Sequence, residues 1–326
     1  MFKNHFNFDR LKIFFSIFNK TDIITLIYIA INLIYISIGY QRIENAQGLL
    51  LIFLSIATLL LAIAHYDDKL SMKADSFASR ILHFAHLWFA PAFFALFYEA
   101  TSQVNLVVFS EYLDPIVQKW DYLIFGYQPA LVWGTKWDWA WLQELMHFSY
   151  FSYYMMIFIV PFYIYFRRKE DIFKRIVFNI SFVFYLCYFF YMVLPVTGGR
   201  AIEEAFALTV EYRYGVFTHI MAFIYRMSPH FGGAFPSSHV AIALTISIIS
   251  AKYIKYLPYI LFPLTFMLSI STVYCHYHYF VDVPVGAACG ALFFYLSEKA
   301  FKKIKVVDKK QLIEKIEILY LNKEIR

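Results

Sequence analysis

Apolar positions along this chain come in long unbroken blocks rather than at the spacing of a half-buried helix or strand. Eight blocks stand out, at about 22–40, 47–64, 81–99, 143–166, 176–195, 237–251, 256–275 and 280–297. A helix needs roughly 20 apolar residues to cross a hydrocarbon core of about 30 Å, so each block predicts a membrane span, the sixth being short. The polar breaks are brief except at 100–142. That segment contains "VVFSEYLDPIVQKWDYLIFGYQPALVWGTKWDWAWLQE", whose Trp and Tyr suit the headgroup layer. It predicts a lid of interfacial helices over one mouth of the bundle, with a ninth, re-entrant element as the alternative.

Composition points the same way. Of 326 residues 61% are hydrophobic and 16% charged, whereas a soluble domain carries about 25% charged residues. The expected fold class is all-α, a polytopic transmembrane helix bundle of about eight spans.

Basic residues then orient the spans, because Lys and Arg concentrate on the cytoplasmic side. With the amino terminus inside, segments 1–21, 65–80, 167–175, 252–255 and 298–326 hold 23 of the 29 Lys and Arg. Both termini are therefore expected to be cytoplasmic, and 100–142, 199–235 and 276–279 to face outward. The net charge of +6 becomes a topology signal, and no nucleic-acid partner is expected. Residues 1–21 read as an interfacial amphipathic segment, with the first span as an uncleaved anchor rather than a signal peptide. Residues 22–99 hold three N-terminal spans, 100–142 the outer lid, 143–299 the catalytic membrane domain, and 300–326 a cytoplasmic basic amphipathic tail. The expected location is a bacterial inner membrane, with the site on the periplasmic or outer side. Cys187, Cys275 and Cys289 offer neither metal spacing nor a disulfide framework.

Candidate chemistry starts with the ten histidines. By this topology His147, His219, His230, His239, His276 and His278 lie near the outer face, and embedded polar groups usually face a cavity or a partner. Six imidazoles converging on one side therefore point to a site there. His83 and His86, one turn apart on the inner half, read as satisfied core histidines, with haem ligation as a remote alternative.

The stretch "FPSSHVAIAL" (235–244) would put Pro236 at the first helical position and Ser237, Ser238 and His239 in the first turn, where backbone N–H groups lack partners. Gly232 and Gly233 just upstream allow close backbone approach, so the turn reads either as an anion site or as an ordinary cap. The stretch "STVYCHYHYFVDVPVG" (271–286) puts His278 and Asp282 four apart, on one face if helical. A carboxylate on one ring nitrogen fixes the tautomer and leaves the other nitrogen free to attack. Alone, such a pair is as readily structural as catalytic.

Together the two stretches resemble the second and third signature motifs of the type 2 phosphatidic acid phosphatase / vanadium haloperoxidase superfamily. Pro236-Ser237-Ser238-His239 resembles Pro-Ser-Gly-His. Ser271-Thr272, five residues, His278, three residues and Asp282 resemble Ser-Arg, five residues, His, three residues, Asp. The first motif, Lys, six residues, Arg-Pro, has no counterpart; "YMVLPVTGGR", ending at Arg200, occupies its place. With "DYLIFGYQP" and "ELMHFSYFSYY", the pattern is similar to the inositol phosphorylceramide synthase branch of the aureobasidin-resistance type.

The resemblance implies a six-helix phosphatase-like core and a covalent mechanism without metal or cofactor. His278 would attack phosphorus, Asp282 orient it, and His239 serve the leaving and incoming alcohols. Ser237, Ser238, Gly233 and Arg200 would hold the phosphate oxygens. Glu144, His147, Tyr150 and Tyr154, with Tyr153, would shape a headgroup or acceptor pocket. The implied activity is phosphotransfer between phospholipid headgroups and a lipid alcohol through a phosphohistidine, with inositol-phosphoryl-type transfer leading. The alternative is a lipid phosphate phosphatase acting on phosphatidic acid or polyprenyl phosphate, with water as acceptor. A transporter remains remote, since the two halves show no matching broken spans.

Overall fold

The computed structural model describes residues 16–71, 76–227 and 230–306, so the expected interfacial segment and basic tail lie mostly outside the described residues. Among the described residues there are thirteen α-helices and no strand. In chain order they are α1 (Lys20–Ile38), α2 (Ala46–Ser71), α3 (Phe77–Leu87), α4 (Phe89–Val104), α5 (Asp114–Phe125), α6 (Pro129–Lys136), α7 (Ala140–Phe166), α8 (Glu170–Val193), α9 (Glu203–Val210), α10 (Val216–Met227), α11 (Ser238–Tyr253), α12 (Pro258–Tyr274) and α13 (Asp282–Lys303).

Every predicted span coincides with a helix, except the third. There the chain forms two helices, α3 and α4, meeting at Trp88 with a bend of 41°. Pro91 has no N–H to offer the carbonyl of Leu87, so the ladder breaks at that turn. Helices α1, α2, α7 and α8 are long and apolar enough to cross a membrane, and the bent pair makes a fifth if read as one span. The chain is a multi-pass membrane protein.

Helix α11, 16 residues long, explains its own shortness. It is buried on all sides, as a helix in the middle of a bundle is, and its Thr245, Ser247 and Ser250 are buried with its apolar residues. Val240, Ala241, Ile242, Ala243, Ile246 and Ile249 are all buried, and α11 packs on α7, α8, α12 and α13. With α4 lying against α8, these helices make up a core of six; α1 also packs on α8 and ties in the N-terminal spans.

Small residues let membrane helices approach closely. A Cβ added at Gly286 would sit 2.6 Å from the Ser237 carbonyl oxygen, and one at Gly290 would sit 2.7 Å from the Ala241 Cα. Glycine at these two positions brings the start of α13 directly against the start of α11.

Two short helices, α5 and α6, occupy the 100–142 segment. Pro115 stands in the first turn of α5, and Gly126 closes it in the left-handed conformation (φ 72°), its N–H donating to the Tyr122 carbonyl. Proline at the entry and glycine just past the exit is the pattern helix termini favour.

Candidate active site

At the start of α11, Ser237 is the N-cap; its extended backbone and hydroxyl do the capping, with Val240 N–H donating to Oγ at 3.5 Å. The helix therefore begins at Ser238, and Pro236 precedes the cap instead of opening the helix as expected. Tyr191 secures this corner. Its hydroxyl accepts from Ser238 N–H (3.1 Å) and donates to the Pro236 carbonyl (3.2 Å).

His278 stands in the turn between α12 and α13, while Asp282 is the first residue of α13. The two do not share a helix, yet they meet: His278 Nδ1 lies 3.2 Å from Asp282 Oδ2, which also accepts the Tyr279 N–H at 2.9 Å. As a carboxylate Asp282 accepts from Nδ1–H as well as from the Tyr279 N–H, which leaves the lone pair of Nε2 free. That Nε2 faces Ser237 Oγ and His239 Nδ1, each at 3.4 Å. His239 is tied at its far nitrogen, with Nε2 2.8 Å from the Tyr150 hydroxyl, which in turn lies 2.6 Å from the Tyr225 hydroxyl. The Tyr153 and Tyr154 rings complete the wall around His239, at centroid distances of 4.3 and 6.5 Å.

Arg200 is buried beneath aromatic faces, its guanidinium 4.7 Å from the Tyr225 ring, 5.2 Å from Phe231 and 5.8 Å from Phe206. Its Nε and Nη2 make no hydrogen bond among the described residues. A buried charge with open donors is costly unless an anion meets it. Tyr225 thus touches both Arg200 and, through Tyr150, His239.

His230 lies in the same quarter, stacked on Tyr98 at 3.9 Å, with Nε2 2.9 Å from Thr101 Oγ1. Burial, reinforced by Arg200, holds its pKa down at about 3, so the ring is neutral. Gly233 packs on it; a Cβ there would lie 2.4 Å from His230 Cε1. Gly233 also lies near Tyr98 and pairs as an isolated β-bridge with Val196.

The other expected residues are placed differently. Glu144 caps α10, accepting from the N–H groups of Gly215 (3.1 Å), Phe217 (2.9 Å) and Thr218 (3.1 Å) and from the Thr218 hydroxyl (2.7 Å). His147 Nδ1 bonds the Gln143 carbonyl at 2.8 Å and lies 3.7 Å from Cys275 Sγ. His276 takes a left-handed backbone (φ 67°) that turns its ring toward the Ala130 carbonyl, 2.6 Å from Nδ1, and burial lowers its pKa. His219 bonds the Gly215 carbonyl at the surface. Of the six histidines expected to converge, His239 and His278 meet among the described residues.

Two residues the sequence reading passed over hold the site from outside. Asp114 of α5 accepts the N–H groups of Thr197 and Gly198 at 3.0 Å and the Tyr279 hydroxyl at 2.9 Å. Asp121, two turns on, accepts the N–H groups of Phe280 (2.7 Å) and Val281 (3.0 Å). Burial pushes both carboxyls above their ordinary pKa range, against the pull of those donors. Their spacing of seven, which puts them on one helix face, was the available signal.

At the opposite end, the ring nitrogens of His86 lie 2.7 Å from Asp67 and 2.9 Å from Asp22. Those of His83 lie 3.0 Å from Asp67 and 3.3 Å from Glu170. Neither ring keeps a nitrogen for haem iron.

The family model for the PAP2 superfamily matches residues 118–296, from α5 through most of α13. No curated protein and no solved structure matches the chain.

Proposed function

The chain belongs to the PAP2 superfamily, and from that premise we propose that it is a lipid phosphotransferase working through a phosphohistidine on His278. Membership makes it a phosphatase or phosphotransferase of lipid phosphates; transfer to a lipid alcohol, of inositol-phosphoryl type, is the finer reading. The observation that carries the mechanism is the opposition of His278 Nε2 and His239 Nδ1 at 3.4 Å, each ring held from behind, one by Asp282 and the other by Tyr150.

In the first half-reaction the lone pair of His278 Nε2 attacks phosphorus. The P–N bond forms as the bond to the leaving alcohol breaks, and His239 Nδ1–H gives that oxygen its proton. His239 keeps its other proton on Nε2, donated to Tyr150, and ends neutral with a free lone pair on Nδ1. In the second half-reaction that lone pair takes the proton of the incoming alcohol, whose oxygen attacks phosphorus and releases His278. Asp282 holds the imidazolium of the phosphorylated state. Ser237, Ser238 and Arg200 hold the oxygens on phosphorus, where fixed donors stabilise developing charge.

Thr272, in place of the family's Arg, is buried and bonds the Ser269 carbonyl at 2.8 Å, leaving Arg200 as the cation of this site. One guanidinium suits a phosphodiester with a single negative charge better than a dianionic monoester, which supports transfer. Exclusion of water by the aromatic wall around His239 supports it too, since a positioned alcohol gains effective molarities of about 10⁵ M or more over bulk reactants. The basic-residue pattern supports a site on the outer side of a bacterial inner membrane.

The test is incubation of purified protein with labelled phospholipids and a panel of long-chain alcohols. A new phosphodiester lipid should form faster than free headgroup phosphate. Release to water that dominates at saturating acceptor, for every alcohol tried, would make the protein a phosphatase.

A further inference from the structure

Helix α5 is built inside out for a helix in water. Its inward face carries two buried carboxylates, Asp114 and Asp121, with Val117 between them. Its outward face is apolar apart from the exposed Lys119: Ile116 is 50% exposed, Trp120 45%, Leu123 72% and Ile124 58%. These four positions follow the i, i+4, i+7, i+8 spacing of one helical stripe. An ordinary surface helix turns such a stripe inward. The same 100–142 segment exposes the rings of Tyr122, Tyr127, Trp137, Trp139 and Trp141. Five of the six tryptophans in the chain lie between residues 120 and 141. Rings of this kind collect at the headgroup level of a membrane.

We propose that the outward face of α5 is seated in the lipid surface on the catalytic side, and that α5 so seated holds the two catalytic loops in register. The carboxylates make the second half of this physical. Asp114 binds the N–H groups of Thr197 and Gly198, in the segment leading to Arg200, and Asp121 binds those of Phe280 and Val281, between His278 and Asp282. Tyr279 adds a bond from the second loop to Asp114. The arm that bears Arg200 and the arm that bears His278 are thus fastened to one helix, and the lipid surface fixes where that helix lies. The occupant is a lipid surface and not a protein because the stripe belongs to a segment of a multi-pass membrane protein that exposes Trp120, Trp137, Trp139 and Trp141 together, with Lys119 among them to reach the headgroups. Lipid seating stands apart from the reaction chemistry; its effect on turnover rests on the phosphotransfer reading above.

The experiment uses the full chain in phosphatidylcholine vesicles, with and without bromine on the acyl chains. Subtracting the emission of Trp120→Phe from that of the unaltered protein isolates Trp120. Brominated lipid should quench that difference at least twofold, and aqueous iodide should leave it within about 20%. In Leu123→Lys/Ile124→Lys, brominated quenching should fall at least twofold. Amide exchange in both 196–200 and 278–283 should rise about tenfold. Quenching of Trp120 by iodide but not by bromine would overturn the seating, as would protection from both, the mark of a second copy covering the face. Unchanged exchange in the two loops of the double variant would overturn the coupling. Neither readout needs turnover, so seating that persists in a protein without phosphotransfer would count against the chemistry alone.

Discussion

Two histidine pairs, His83 with His86 and His239 with His278, mark opposite ends of the bundle and do different work. In the first pair every ring nitrogen meets a carboxylate: Asp67 is shared between His83 and His86, Asp22 takes the far side of His86 and Glu170 that of His83. Asp22 also accepts the Asn19 N–H in a capping box, so the network joins the start of α1, the last turns of α2, helix α3 and the start of α8. In the second pair a single carboxylate serves one nitrogen of His278, and the opposite nitrogen looks at His239. Nearby, Arg200 keeps two donors open and Asp282 keeps Oδ1 open among the described residues. A polar network in a low-dielectric interior rigidifies when it is fully satisfied. At the His83 and His86 end every ring nitrogen is taken, although Asp67 Oδ1 is left over, and the cluster serves as a clamp; at the His278 end a ring nitrogen and two Arg200 donors remain in reserve for a substrate.

Alanine at each pair separates the two roles most sharply. His278→Ala and His239→Ala should each lower turnover by about 10²–10⁴, the range of acid–base and nucleophilic groups. A loss under about tenfold for either would contradict its assignment. His86→Ala should keep turnover per folded molecule within about threefold while removing about 3–5 kcal/mol of stability, the scale for breaking a buried polar pair. Thermal unfolding in detergent, read beside specific activity, checks both halves.

Arg200→Lys tests the reserve directly. The ammonium cannot reproduce the planar fork against Tyr225, and KM for a phospholipid donor should rise about tenfold with the fold intact. Tyr150→Phe removes the hydroxyl behind His239. The expected loss is about tenfold in kcat with KM nearly unchanged, and a pure KM effect would return Tyr150 to a substrate pocket. His276→Ala should be smallest, under about threefold in turnover, because its ring is bonded to Ala130 and turned from His278.

The spans were legible because block length alone carries that information, and the bend at Trp88 was written in Pro91. The pairing of His278 with Asp282 was legible from spacing, but not the turn that makes it. Helix α12 stops at Tyr274, and His276 adopts a left-handed backbone that a non-glycine residue seldom signals. The second layer was out of reach for another reason. Asp114 meets Thr197 across 83 positions, and Asp121 meets Phe280 across 159, in both cases through backbone N–H groups that any sequence supplies. Glu144 is expected in a pocket from its place at the start of the fourth span, beside His147 and Tyr150. Only the position of α10, more than 70 residues on, shows that it is a cap.

Capture of the covalent intermediate reaches furthest into the chemistry. Purified protein would be mixed with a donor lipid labelled in its phosphoryl group, without acceptor, quenched in alkali and mapped by peptide mass. His278 as nucleophile predicts a label that is stable to alkali, lost in acid, carried on the peptide containing His278, absent from His278→Ala and retained in Tyr150→Phe. An acid-stable label on Ser237 or Ser238, or full labelling of the His278→Ala protein, would contradict it.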